Sequence, residues 1–458
     1  MSRDSLTLVM GVFFVLVIFD RVLVNSNYME ISVKDLSKHV GETVTLKGWA
    51  YNIRSSGKIA FVQFRDGSGR VQAVYSKAEV DEKTWEAIQN TTIESSVIVE
   101  GAVKAEPRAP SGFEVMGKNI TLVSKSEEYP IGKKEHGPEF LHDMRHLWLR
   151  SETQAAMMRV RNEIEFALRK FFYERQFILQ DSPIFTPNAC EGTSELFEVT
   201  YFDTKAYLSQ SGQLYQEATS AALGKTYCFG PTFRSEKSKT RRHLTEFWML
   251  EAEASYMDLS GDMQLQEDMM VSVVKHVLGA SLEDLKLLGR DITKLEKTVE
   301  GNFPRVHYRD AVAKVRELGS DMKMGDDFGA DDETILTNLY DRPIFVHHYP
   351  IEVKAFYMKP DANDPGFCLN SDMLAPEGYG EIAGGSQRID DLALLEERIK
   401  GHGLPLSAFK WYLDLRRYGS VPHSGFGLGL ERTVAWITGT HHVRETIPFP
   451  RLMNRIEP

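Results

Sequence analysis

Two short segments hold most of the side chains able to do chemistry. In FGPTFRSEKSKTRRHLTEFWMLEAE, Arg234 and Glu236 stand two apart at the end of one extended run, ahead of a basic loop of Lys237, Lys239, Arg241 and Arg242. A returning run from His243 to Glu253 spaces Phe247, Met249, Glu251 and Glu253 by two. The two-residue period of a strand puts Arg234 with Glu236 on one face, and Phe247 through Glu253 together on one face of the partner. An aromatic ring, guanidinium groups and carboxylates sharing a face are costly to bury unless a polar ligand fills the space between them. The bland alternative is a solvated hairpin with a charged tip. The second segment, GFGLGLER, alternates Gly425, Gly427 and Gly429 and ends in Glu431 and Arg432. Glycine at every second residue marks a strand against which a ligand lies closely. Arg432 then opens a helix, whose N–H groups would add to its attraction for phosphate.

Neither common phosphate loop is present. Gly224-Lys225-Thr226 has the ending of a P-loop, but Thr219 stands where its leading glycine belongs, and the 425–429 glycines lack the GxGxxG spacing. Any nucleotide must therefore be held by side chains on a sheet.

The elements that position these groups form two regions. From Thr43 to Val123, five short alternating runs surround one helical stretch, Lys77 to Ile88, placed after the third strand, with Asp66-Gly67 turning the hairpin before it. That order fits a Greek-key barrel of the OB type, which commonly binds single-stranded nucleic acid with aromatics and basic groups on its second and third strands. Arg54, Phe61, Arg65 and Gln72 lie on these strands, and the pattern leaves open whether Phe61 is core or a stacking platform. Residues 126–150 lack periodicity and read as a linker. A long helix from Glu152 to about Tyr173, capped by Ser151, opens a mixed α/β domain over 151–458 that includes strands at RPIFVHHY and VKAFYM.

Ahead of the barrel, Leu6–Phe19 is an apolar run of 14, too short to span a bilayer comfortably. Residues 1–28 read as an extension ahead of a true start at Met29, with a targeting segment or a packed helix as alternatives. A chain of 458 residues with 42% apolar side chains is neither a peptide nor disordered. Its three scattered cysteines, Cys190, Cys228 and Cys368, argue against a disulfide framework or a CxxC zinc site. A net charge of −11 does not exclude a nucleic-acid partner, because binding needs only a local basic surface.

Arg234-x-Glu236, the basic loop and Arg242-His243-x-x-Glu246-Phe247 resemble motif 2 of the class II aminoacyl-tRNA synthetases. GFGLGLER resembles their motif 3, and SPIFTP, ending in Pro187 after the long helix, resembles the motif 1 that forms their dimer interface. With an N-terminal OB barrel, this order is that of the aspartyl, asparaginyl and lysyl subgroup, and it covers the chain from about Met29. The resemblance implies a class II catalytic domain with an antiparallel sheet flanked by helices. It also implies that Phe247 stacks on adenine, Arg234 holds the α-phosphate, Arg432 holds the γ-phosphate, and Arg242 and His243 lie near the triphosphate. Glu236 and Gly429 join them in the ATP site, and Arg234, Glu236 and Arg432 form the catalytic set. Ser371-Asp372 and Glu381 correspond to the acids that hold Mg²⁺. Aspartyl members of the archaeal kind carry a serine where this chain has Gly384, so one metal contact falls to water or is absent.

EGTSELFEV, SQSGQLYQEA, GEIAGGSQR and PHSGFGLGLER look aspartyl or asparaginyl rather than lysyl. Glu191, Gln213 and Arg388 match amino-acid-binding positions, Arg388 being directed at the side chain. Gln216 replaces a lysine of the aspartyl enzymes and Glu251 replaces their shorter acid. Arg388 donating to a carbonyl and Glu251 accepting from an NH₂ would satisfy asparagine, whereas a carboxylate would face Glu251 without the compensating lysine. The resemblance therefore points to the asparaginyl members, which use ATP and Mg²⁺ to join asparagine to tRNA(Asn) as cytoplasmic homodimers without a stable membrane partner. In the barrel it implies that Phe61 stacks on an anticodon base, Gln72 reads the central uracil and Arg54 contacts a neighbouring base or phosphate. An aspartyl enzyme charging two tRNAs, and a tRNA-independent asparagine synthetase on the same core, are the alternatives.

Other candidates read as structural. Adjacent His347-His348 and His441-His442 point apart on a strand, and Met157, Met158, Met269 and Met270 read as helix packing. The acidic run MGDDFGADDE, residues 324–333, reads as a solvated surface.

Overall fold

Alternating burial explains the first unit of the computed structural model, which describes residues 28–132, 134–187 and 196–457. Glu191, Cys190 and all but Tyr28 of the N-terminal stretch lie outside the described residues. The chain divides into one unit ending at Glu135 and another beginning at His136. In the first, β1 (Thr43–Ser55), β2 (Ile59–Arg65) and β3 (Arg70–Ser76) form a meander, followed by helix α1 (Glu82–Asn90) and by β4 (Ser95–Ala105) and β5 (Phe113–Ser124). β3 pairs in parallel with β5, β5 with β4, and β4 returns to β1, which closes an OB barrel. Leu46, Ala60, Val62, Phe64, Ala73 and Tyr75 point inward and are fully buried.

One expectation shifts here, and one open reading is narrowed. The helix starts at Glu82 rather than Lys77, because the Asp81 side chain accepts the Thr84 N–H and caps it there. Phe61 is not core: it lies opposite Arg54 and Val74 on the outward face, between the buried Ala60 and Val62.

In the second unit the segment that reads as a linker is helical at Pro138–Asp143 and Arg145–Trp148. Arg145 is fully buried and donates to the carbonyls of Ile447 and Pro448 and to Gln154, an anchoring that local periodicity cannot reveal. Helix α2 (Glu152–Glu174) follows, with Ser151 accepting the Gln154 N–H as its cap. Next come α3 (Gln213–Leu223), β6 (Lys225–Phe233), β7 (Glu246–Ser255) and α4 (Leu259–Ala280). Further along lie β8 (Arg305–His307), α5 (Ala330–Thr337), β9 (Ile344–His347), β10 (Asn370–Ala375), β11 (Gly380–Gln387), α6 (Lys410–Arg417), β12 (His423–Gly429) and α7 (Leu430–Thr438). The sheet order is β8-β9-β10-β11-β12-β7-β6, closed by the short strand Ile178–Leu179, and it is antiparallel except at its two edge pairs.

One face of this sheet is apolar. Leu250, Ala252 and Ala254 of β7 pack with Leu168, Phe171 and Phe172 of α2 and Met269, Met270, Val273 and Val277 of α4, so the methionines other than the partly buried Met158 are core. The opposite face presents Phe247, Met249, Glu251 and Glu253, and β12 supplies glycines against the last three: Gly429 opposite Met249, Gly427 opposite Glu251 and Gly425 opposite Glu253. A Cβ on Gly425 would stand 2.0 Å from Glu253 Oε2 and 2.3 Å from the Ala252 carbonyl oxygen, so the alternation leaves room for polar groups to lie across the strand.

VKAFYM does not form a strand. Residues 351–353 make one 3-10 turn and Phe356 and Tyr357 are drawn into a core with Phe409 and Tyr412. His348 has a φ of +58°, which ends β9, so His347 and His348 do not diverge: their Nδ1 atoms are 2.6 Å apart and His307 stacks on His348.

Because one of the clashing atoms is backbone, Gly425→Ala should destabilise the second unit by about 1–3 kcal/mol, read as a lower urea midpoint. An unchanged midpoint would show that β7 and β12 can separate without loss.

Candidate active site

The hairpin of β6 and β7 carries the site, and its strands are shorter than the alternation suggests. Pairing stops at Phe233 opposite Glu246, one further bond joins Arg234 N–H to the Thr245 carbonyl, and the Thr245 N–H is then taken by the Arg451 carbonyl. Residues beyond this point diverge into the basic loop, and Glu236 is exposed there instead of sharing a strand face with Arg234. Arg234 stays with the sheet: its guanidinium lies 5.4 Å from the centre of the Phe247 ring, and its buried Nε has no hydrogen-bond partner. Arg234, Arg242, His243, Phe247, Met249, Glu381, Gly427, Gly429 and Arg432 line one open pocket.

Two cations of this pocket, Arg432 and Arg242, and the neighbouring Lys354 are paired with protein acids. Arg432 donates to Glu381 Oε2 at 3.1 Å and to the Glu381 carbonyl at 3.0 Å. Arg242 donates to Glu333 Oε2 at 2.7 Å and to Thr334 Oγ1 at 2.9 Å. Lys354 Nζ donates to Asp372 Oδ2 at 2.9 Å. Burial and the neighbouring Glu381 push the Glu333 carboxyl up to about 7. Burial likewise carries Asp372 to about 6 despite Lys354. Packing would raise Glu381 as well, but Arg432, Lys354 and Arg234 outweigh it and hold this carboxyl below its ordinary value. The histidine of the pocket, His243, is held below its usual value by burial and by Arg432 and Arg234.

The second oxygens of the two acids converge. A Cβ on Gly384 would stand 3.1 Å from Glu381 Oε1 and 3.3 Å from Asp372 Oδ1. Two carboxylate oxygens facing one vacant Cβ position form a hard-donor cradle suited to Mg²⁺, which keeps several waters alongside one or two carboxylates. Gly384 is what keeps this space open.

Beyond Met249 the same face becomes a buried charge network. Arg388 donates from Nε and Nη2 to Glu253 at 3.0–3.3 Å and from Nη1 to Ser386 Oγ at 2.8 Å. Glu217 accepts from Arg416 at 2.6 Å and Tyr412 at 2.8 Å, contacts His423 Nε2 at 3.0 Å, and accepts from Gln213 Nε2 at 3.0 Å through its other oxygen. Glu217, Glu253 and His423 are close enough to hold a metal, but Arg388 and Arg416 already supply the positive charge. Glu251 accepts from Ser211 Oγ and, at 2.7 Å, from the Gly212 N–H, so both of its oxygens are engaged by the turn that opens α3. Gln216 is buried and donates to the Gln180 carbonyl at 2.8 Å and Ser182 Oγ at 3.1 Å.

The structure thus brings together Arg234, Arg242, His243, Phe247, Asp372, Glu381, Gly429 and Arg432, and groups Gln213, Glu251 and Arg388 farther along the face. Glu236 stands apart on the loop and Pro187 is exposed ahead of the undescribed stretch that contains Glu191. Sequence reasoning missed Lys354, which sits in the supposed strand, and Glu333, which ends an acidic run read as solvated. Spacing carried one usable signal: Glu333 opens helix α5 as its fourth residue, where it reaches back toward the hairpin.

Residues 137–453 match the family of class II tRNA synthetases for aspartate, lysine and asparagine, and residues 44–123 match the OB-fold nucleic acid binding domain. The chain is 55% identical over 426 residues to the asparagine–tRNA ligase of Desulforamulus reducens, covering 93% of this chain and 99% of that one. It is 52% identical over 438 residues to the asparagine–tRNA ligase of Thermus thermophilus, covering 94% and 100%. Among solved structures, asparaginyl-tRNA synthetase from Pyrococcus horikoshii complexed with asparaginyl-adenylate superposes with a TM-score of 0.90 at 45% identity, over 93% of this chain and 99% of that one. The chain belongs to the class II tRNA synthetases of the aspartate, lysine and asparagine group, and within that group to the asparagine–tRNA ligases.

Proposed function

We propose that the chain activates asparagine with ATP and transfers it to the 3′ end of tRNA(Asn). The observation that carries the choice of asparagine is the pairing of Arg388 with Glu253. A guanidinium already neutralised by a buried carboxylate offers a hydrogen bond to a side-chain carbonyl but little net charge to an incoming carboxylate. Glu251 adds a negative group nearby, and Gln216 brings no compensating charge.

In the activation step the asparagine carboxylate attacks the α-phosphorus of ATP and displaces pyrophosphate in line. No side chain acts as nucleophile; catalysis is positioning and charge stabilisation. Phe247 stacks on adenine, Arg234 meets the α-phosphate through its unpartnered Nε, and Arg432 meets the γ-phosphate with Arg242 and His243 beside it. Asp372 and Glu381 would hold Mg²⁺, which when bound neutralises phosphate charge. Glu236, exposed on the motif 2 loop, belongs to this set only if the loop closes over ATP, and Glu191 belongs to the amino-acid site. The adenylate then passes its aminoacyl group to the terminal ribose of the tRNA.

The barrel, residues 29–125, reads the anticodon with Phe61, Arg54 and Gln72 on its outward face, where Gln72 is oriented by a 2.9 Å bond to Glu114. Phe166 and Tyr173 of α2, and Ile178, Leu179, Ile184 and Phe185 in the segment leading to Pro187, are exposed apolar groups, which supports a homodimer formed through this part of the chain. Among the described residues no helix is long and apolar enough to cross a membrane. From its family we place the enzyme in the cytoplasm.

Purified protein should exchange pyrophosphate into ATP with asparagine at least about 10²-fold faster than with aspartate. Equal rates would move the reading to an aspartyl enzyme that charges two tRNAs. Asp372 takes up a proton below about 6, above the ordinary carboxylate range, so the Mg²⁺ concentration for half-maximal exchange should rise as pH falls through 6. A midpoint constant from pH 5.5 to 7.5 would remove Asp372 from the metal site. Phe61→Ala should raise the KM for tRNA(Asn) by about ten-fold, with a much smaller change in exchange, and an unaltered KM would refute the stacking role.

A further inference from the structure

Lys354 is paired with one acid of the proposed metal cradle, and the reaction as described gives it no task. Its side chain is largely buried, with the ammonium 2.9 Å from Asp372 Oδ2, 3.3 Å from Asp327 Oδ1 and 3.9 Å from the centre of the Tyr349 ring. Two carboxylates above an aromatic face make a cation site, and the lysine fills it from within the protein. Across the cradle, Arg432 occupies the corresponding oxygen of Glu381. The two acids therefore keep Oδ1 and Oε1 turned toward each other over Gly384 while their charge is cancelled from behind.

We propose that Lys354 is a tethered cation that, with Arg432, neutralises the Asp372–Glu381 pair in the resting enzyme, so that a divalent ion settles in the cradle only with the triphosphate. Before ATP binds, an entering ion meets two carboxylates balanced by two fixed cations and gains little net attraction. The polyphosphate then brings the negative charge that makes the ion's arrival favourable and draws Arg432 toward itself. Lys354 acts through Asp372 and is a positioning residue. Asp327 shares the ammonium and lies in the acidic run 324–333, so that run tunes the metal site from its partly exposed side. This inference rests on the proposed Mg²⁺ site at Asp372 and Glu381.

Mn²⁺ binding to the full chain without nucleotide, followed by electron paramagnetic resonance of the free ion, tests it. Removing one positive charge a few ångströms from a divalent ion in a partly buried site should tighten binding by on the order of ten-fold or more. Lys354→Met is therefore expected to bind Mn²⁺ at least about ten-fold tighter than wild type, and Lys354→Arg, which keeps the charge, to match wild type. Affinity in Lys354→Met equal to or weaker than wild type, in a protein with native near-ultraviolet dichroism, would overturn the proposal. So would a Lys354→Arg that behaves like Lys354→Met. Should Lys354→Met not fold, Asp327→Asn decides: leaving the whole ammonium to Asp372 should weaken Mn²⁺ binding about two- to three-fold, and unchanged or tighter binding would overturn the inference. Glu381→Gln separates the two readings. If it leaves Mn²⁺ binding unaltered in every background, the metal site itself is wrong and the role of Lys354 falls with it.

Discussion

The constraint on which the catalytic unit depends is that five acids at and around the open face of its sheet are each answered by a cation of the protein. Asp372 is met by Lys354, Glu381 by Arg432, Glu333 by Arg242, Glu253 by Arg388 and Glu217 by Arg416. An unpaired carboxylate in such surroundings costs several kcal/mol. Paired, the face can be assembled before any substrate arrives. Binding is then an exchange of partners, and the energetic demand on ATP is the difference between two sets of ion pairs rather than the full desolvation of one.

That face exists because the sheet is asymmetric in its alternation. Leu250, Ala252 and Ala254 of β7 are committed to α2 and α4, which fixes Met249, Glu251 and Glu253 on the other side. β12 then has to give way, and glycine at 425, 427 and 429 is the sequence expression of it. A side chain at Gly425 would collide with Glu253 and with backbone, and one at Gly384 would fill the space between Asp372 and Glu381. The glycines are therefore the negative image of the ligand surface.

Much of this was legible in the sequence where local period and contact coincide. The alternation from Thr43 to Val123 gave the barrel, the Ser151 cap gave the start of α2, and the period-2 placement of Phe247 to Glu253 held because β7 is a true strand there. It failed where a distant segment decides. The hairpin ends at Phe233 because the Arg451 carbonyl takes the Thr245 N–H, so Glu236 leaves the face. VKAFYM has the composition of a strand, but Phe356 and Tyr357 are claimed by Phe409 and Tyr412, and the resulting turn delivers Lys354 to Asp372. Glu333 looks like one more solvated acid until Arg242, 91 residues away, is seen to need it. The adjacent histidines failed for a local reason: the left-handed backbone at His348 cancels the divergence that a strand would impose.

The same pairing rule explains how a neutral side chain can be preferred in a pocket that contains arginine. An unpaired guanidinium is a carboxylate receptor, with two parallel donors and a full charge. Arg388 has both donors on one edge, Nε and Nη2, committed to Glu253, and Ser386 takes a third. What remains is a directional donor with most of its charge cancelled, which a carbonyl oxygen can use as well as a carboxylate can. Glu251 is held by Ser211 and the Gly212 N–H, so it cannot turn aside to avoid an incoming anion. On the proposed reading, preference for the amide follows because, among the described residues, Arg388 and Arg416 at this end of the face are both already paired with acids, and Gln216, where the resemblance places a lysine in the aspartyl enzymes, adds no charge.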